Sequence, residues 1–273
     1  MQAEEPIRSR VAAAQPPSAT ASARVPLLVV LYAVGLLLFL AVEPTEPWIL
    51  MVLTALIALG TDGILRTHPR AVLEEDIAWT APLLFLPTLM CLGVGLFLED
   101  ALTGYWVILG VLVAAVLMAL VLYAEYVTIL PFGSGFAGAR FLLNLGTFLT
   151  AFAFFAVVYS FDVGLVSAAL TAGLISLLLS VEVLRESEAD PVRALVYAGA
   201  IGVIVAQARW ALYFLPLESY LAAVFLLLVF YLASGLVQHH LNDDLSPPVI
   251  SEFAAITLLG IVIVALGRIF ETA

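Results

Sequence analysis

The run Gln238-His239-His240-Leu241-Asn242-Asp243-Asp244 is the densest group of ligand-type side chains in the sequence. Imidazole nitrogens and carboxylate oxygens hold zinc and other divalent ions when three or four of them converge on one point. His239 with Asp243, and His240 with Asp244, are four residues apart, so each pair shares a face if the helix continues through them. These four residues are the candidate metal ligands. His68 and the acidic run Glu74-Glu75-Asp76 fall on the same side of the membrane in the topology derived below. The competing reading is a polar helix end entering a solvated loop, with the imidazoles near the negative end of the helix dipole. Asn242 and Pro247-Pro248 favour that early stop.

A second group comprises charged and polar residues in or beside apolar runs: Asp62, Glu125, Arg140, Asn144, Glu182, Arg209 and Glu218. Intramembrane carboxylates raise the prospect of a proton or cation relay. Glu125, Arg140, Asn144, Glu182 and Arg209 are the members from which an ion or small-solute path would be built. Thr147, Tyr231, Ser234 and Gln238 extend the polar stripes. Counting along the helices puts Glu125 and Glu182 near the inner interface, so interfacial pairing competes with transport: Asp62 with Arg66, Glu182 with Arg185, and Glu125 with Arg140. Arg209 lies about 10 Å below the outer end of its helix. By connectivity its expected counter-ion is Asp162 or Glu218.

No catalytic motif is complete. Gly133-Ser134-Gly135 lacks the glycine two places before serine of a rhomboid-type nucleophile turn. There is no H-E-x-x-H, P-loop, dinucleotide-binding glycine motif or D-x-x-x-D pair. His239 and His240 lack the paired-glutamate motif of CAAX-type membrane proteases, because no arginine follows Glu74-Glu75 three residues later. No motif requires a cofactor, and its identity is left open.

The elements that must position these residues are membrane helices. The 273 residues are 64% hydrophobic and 11% charged, with a mean hydropathy of +1.15. Soluble domains carry about 25% charged residues, so the composition is that of a polytopic membrane protein. A net charge of −11 excludes the basic patch that nucleic-acid binding requires. Cys91 is the single cysteine and falls inside an apolar run, which excludes an intrachain disulfide and a thiolate cluster.

The predicted fold is all-α, a transmembrane helix bundle of about nine spans, eight to nine, with a cytoplasmic N-terminus. Residues 1–24, rich in Ala, Ser and Pro, read as a disordered cytoplasmic tail. Residues 25–273 form the membrane domain. The expected spans are 26–42, 47–65, 78–98, 104–130, 139–159, 163–184, 191–216, 218–238 and a weaker ninth at 249–267. Ala198, Gly202 and Ala206 in the seventh span face a matching series, Gly164, Ala168, Ala172, Ser176 and Ser180, in the sixth. Such stripes predict a closely packed antiparallel pair.

Orientation follows from arginine, the only basic residue type apart from histidine. With the N-terminus inside, Arg8, Arg10, Arg24, Arg66, Arg70, Arg140, Arg185 and Arg193 are cytoplasmic, and only Arg209 and Arg268 lie outward. Nine spans place the C-terminus outside. The expected location is the cell (plasma or inner) membrane, with lipids as immediate partners and further membrane subunits or a second copy as candidates. Three function classes remain: a non-enzymatic membrane protein (complex subunit, scaffold or apolar-ligand binder), a small-solute or ion transporter, and a lipid-acting enzyme with a cytoplasmic His/Asp site. The first leads, because deep charges and complete ligand sets are both missing.

Overall fold

The computed structural model describes residues 19–42, 45–68, 80–129, 135–161, 164–185, 187, 190–215 and 217–271, with side chains at 19–22, 263 and 265–271 excepted. Among these residues all regular structure is helical. The elements are α1 (Ala19–Ala41), α2 (Pro47–Leu65), α3 (Ala81–Ala101), α4 (Trp106–Thr128), α5 (Phe136–Ser160), α6 (Leu165–Leu184), α7 (Pro191–Leu212), α8 (Ser219–Leu241) and α9 (Pro247–Glu271). The first eight are long and apolar enough to cross a membrane. A helix of 20 residues rises about 30 Å, the thickness of the hydrocarbon core, and satisfies its own backbone polar groups there. The chain is a polytopic helical membrane protein.

The helix boundaries fall within about one turn of the sequence expectation, except at the first. α1 begins at Ala19, inside the stretch assigned to a disordered tail, and carries Pro26 within it. Alanine-rich sequence favours helix, and Arg24 Nη1 donates to the Gly63 carbonyl at the end of α2, 3.2 Å away. That tie gives the early turns a tertiary anchor. The rest of the tail lies outside the described residues.

The chain forms two compact units, residues 1–91 with 104–146, and residues 92–103 with 147–273. The boundaries fall inside α3 and α5. In the first unit α1 packs on both α2 and α4, which also touch each other. Its core includes Tyr32, Leu36, Phe39, Leu50, Ile57, Leu86, Met90, Met118 and Leu122. Cys91 is buried there as expected, accepting from the Thr54 hydroxyl at 3.5 Å.

In the second unit α6 and α7 make the most extensive helix contact, and α8 packs against α6, α7 and α9. Pro191 opens α7, where a missing N–H costs nothing, and the Asp190 carboxylate caps it by accepting from Val192 N at 2.9 Å. Apolar contacts continue with Phe97 edge-on to Phe152 and Phe148 edge-on to Phe230.

The alternation of sides is directly testable. With Cys91 replaced, single cysteines at Thr45 and Thr272 should react with an impermeant thiol reagent in intact cells, and one at Ser187 should not. Labelling at Thr45 with protection at Thr272 would give an even number of crossings and contradict nine spans.

Candidate functional site

The closest approach in the second unit is between α6 and α7. A Cβ placed on Gly202 would stand 2.6 Å from the Gly173 carbonyl oxygen and 3.1 Å from Leu177 Cβ. One placed on Gly173 would stand 2.9 Å from both the Gly202 oxygen and Ala206 Cβ. The tight pair expected from the small-residue stripes is present. Its point of contact on α6 is Gly173, however, one residue off the predicted series. Ala168, Ala172, Ser176 and Ser180 are fully buried in the unit, with Ser176 and Ser180 hydroxyls donating to carbonyls one turn back. Backbone-to-backbone contact selects the position with no side chain at all.

From that contact towards the start of α6 and the end of α7, the helix surfaces enclose a groove of about 340 Å³. Ala169 and Ala206 form its small-residue floor, and Val166, Leu170, Val203 and Trp210 are exposed around it. Gln207 and Ala211 complete it. From Val203 to Ala211 the rise is about 12 Å, close to half the hydrocarbon thickness. The lining is almost wholly apolar, with Gln207 and Trp210 bordering it towards the end of α7. Trp at that level matches an interfacial position. The sequence signal for the groove was weak: it lay in small residues flanked by large ones on two helices whose register was unknown.

Arg209 occupies the same turn of α7 but not the groove. Only 6% of it is exposed, and its guanidinium lies over the Tyr159 ring, 4.7 Å from the centroid. Among the described residues no carboxylate forms a salt bridge with it. Glu218 therefore does not play the counter-ion role expected from connectivity, and Asp162 lies outside the described residues. The counter-ion was sought by sequence proximity, but the contact comes from an aromatic ring at the end of α5. Matching depths along α5 and α7 was the signal that could have found it.

The five residues of the expected ion path are divided between the units. Glu125, fully buried on α4, Arg140, 6% exposed on α5, and Asn144 belong to the first. Glu182 and Arg209 belong to the second. Glu182 and Arg185 pair as the sequence predicted, at 3.1 Å. Glu182 ends α6 and Arg209 ends α7, and these antiparallel neighbours meet at the 185–190 connection. Arg209 is thus about 27 Å along the pair from that connection, too far to act with Glu182. Asp62 and Arg66 also pair, at 2.7 Å, with Thr80 donating to the second Asp62 oxygen. Of the remaining stripe residues, the Ser234 hydroxyl returns to the Phe230 carbonyl, and the Tyr231 ring rests on Phe148 and Phe253.

The histidine run is rearranged by the way α8 ends. Asp243 adopts φ 56°, the left-handed conformation, directly after the C-cap Asn242. Its N–H donates to His240 O, and the Asp244 N–H donates to His239 O, the two bonds of a Schellman ending. Asp244 thereby returns to His239, with Oδ1 2.8 Å from Nδ1. The expected partners were His239–Asp243 and His240–Asp244, which need a helix that runs on. His240 instead has its ring 6.3 Å from Tyr197. His68, in the first unit, is buried edge-on to Tyr126. Glu74, Glu75 and Asp76 lie outside the described residues. Among the described residues no three potential ligands gather into a metal-binding group.

A model of the family described as "Protein of unknown function (DUF5656)" matches residues 45–267. The chain belongs to the DUF5656 family. The match covers α2 through most of α9, so the family region of this DUF5656 protein takes in part of each compact unit and leaves out α1. No curated protein and no solved structure matches the chain.

Proposed function

We propose that this DUF5656 protein is a non-enzymatic integral membrane protein that binds an apolar ligand, with the α6–α7 groove as its seat. The observation that carries this reading is the groove itself: an apolar trough bordered at one end by Gln207 and Trp210. Small-molecule sites combine an apolar lining with a few polar groups, and run upward from about 300 Å³. A lipid acyl chain matches that lining and the groove's run of about half a bilayer. Trp210 and Gln207 then sit where the chain meets its polar linkage. The membrane in question is the cell membrane, and the side is the outer one by the arginine asymmetry.

Filling the groove tests this. Ala211→Leu adds bulk at an exposed lining position, two residues from Arg209 and so on a different face of α7. Native mass spectrometry of the variant should show loss of a lipid that the wild-type protein retains through detergent exchange, with Tm changed by no more than a few degrees. Equal lipid retention by the two proteins would contradict the groove as the seat.

Transport is the second reading, carried by the buried Glu125 in the first unit. Its weakness is the separation of the polar residues into two units, and the pairing of Asp62 and Glu182 with arginines one turn away.

A further inference from the structure

We propose that Arg209, braced by Tyr159, is a binding site for a phosphate oxyanion, carried by a lipid headgroup or free in solution. The inference stands apart from the groove, because Arg209 does not line it. A guanidinium has five N–H donors in one plane and no acceptor. The guanidinium carbon lies over the Tyr159 ring, 4.7 Å from its centroid, a cation–π contact that orders the group without a hydrogen bond. Nε and Nη1 are buried, and neither has a hydrogen-bond partner among the described residues.

A cation held this far from bulk water is costly unless paired and hydrogen-bonded. Among the described residues, the carboxylate beside the brace is engaged elsewhere: Asp100 accepts from Ser160, the residue after Tyr159, at 2.8 Å. Water would satisfy the donors and leave the charge uncompensated. A tetrahedral oxyanion does both, since the guanidinium edge matches phosphate geometry. Ring and guanidinium together fix the edge before the anion arrives, which lowers the ordering cost of binding. Arg209 lies in the last turn of α7, within reach of the headgroup layer for an anion entering from that face.

The test uses the full-length protein stripped of lipid in detergent. In one arm, native mass spectrometry compares retention of phosphatidylglycerol with that of a glucosyl diacylglycerol bearing the same chains. In the other, Tm is followed on titration with inorganic phosphate against chloride at matched ionic strength. Preference for phosphatidylglycerol, reduced about tenfold or more in Arg209→Gln and less in Arg209→Lys, assigns the oxyanion to a lipid. A phosphate-dependent rise in Tm that Arg209→Gln loses assigns it to a free anion. Ala211→Leu should leave either effect intact, so failure of the groove reading would not be mistaken for failure of this one. Wild-type protein showing neither preference nor shift overturns the proposal, whether or not the variants fold. So does an Arg209→Gln protein that keeps the wild-type response.

Discussion

Gly202→Leu is expected to prevent α6 and α7 from docking, and Gly202→Ala to lower Tm measurably in detergent. The reason is the nature of the obstacle. The added Cβ meets the Gly173 carbonyl oxygen at 2.6 Å, and a backbone atom inside a helix cannot rotate away as a side-chain tip can. Overpacking of this kind costs about 1–3 kcal/mol for one methyl group, and more for a branched side chain. Gly199→Ala is the internal control. It lies one turn earlier on the same helix, with nothing within 4 Å of its added Cβ. Removing a helical glycine there should be neutral or stabilising. A Gly202→Ala protein as stable as wild type would show that the two backbones do not meet at this point.

Arg185→Leu should be the second severe change. Glu182 has a side chain only 1% exposed, and its Oε1 lies 3.1 Å from Arg185 Nη2, whose side chain is 22% exposed. Taking away the arginine removes compensation from a buried carboxylate, at a cost of about 3 kcal/mol. Glu182→Leu combined with Arg185→Leu should recover much of the loss, because the buried carboxylate left without its arginine is then replaced by an apolar group. Unfolding monitored by tryptophan fluorescence in detergent gives the cycle. An Arg185→Leu protein without loss of stability would contradict the pairing, and a double variant worse than the single would contradict its energetic account.

The membrane helices were legible because their cause is local. Each span needs an apolar run long enough to cross the hydrocarbon core, broken by Pro, Gly or charged connectors, and the sequence displays both. Pairs one turn apart were legible for the same reason, as Asp62–Arg66 and Glu182–Arg185 show. What depends on helix rotation was not. The α6–α7 contact was foreseen from small-residue stripes, yet its centre fell on Gly173, because the packed register of α6 turns on its whole set of neighbours. Arg209 was placed about 10 Å from the end of its helix, whereas α7 ends at Leu212, one turn beyond it; it was also given carboxylate partners, since chain order does not reveal which ring lies across the gap. The His239–Asp244 contact depended on one backbone choice, the left-handed Asp243, which converts a four-residue spacing into a five-residue one.

The central claim is that the α6–α7 groove holds a lipid chain, and photolabelling tests it most directly. The full-length protein is reconstituted with a phospholipid carrying a diazirine along its acyl chain, irradiated, and digested for mass spectrometry. The account predicts adducts concentrated on Leu170, Val203 and Ala206 over equally apolar, exposed positions such as Leu112 and Val116 on α4. Labelling spread evenly over the exposed faces of α4, α6 and α7 would contradict it.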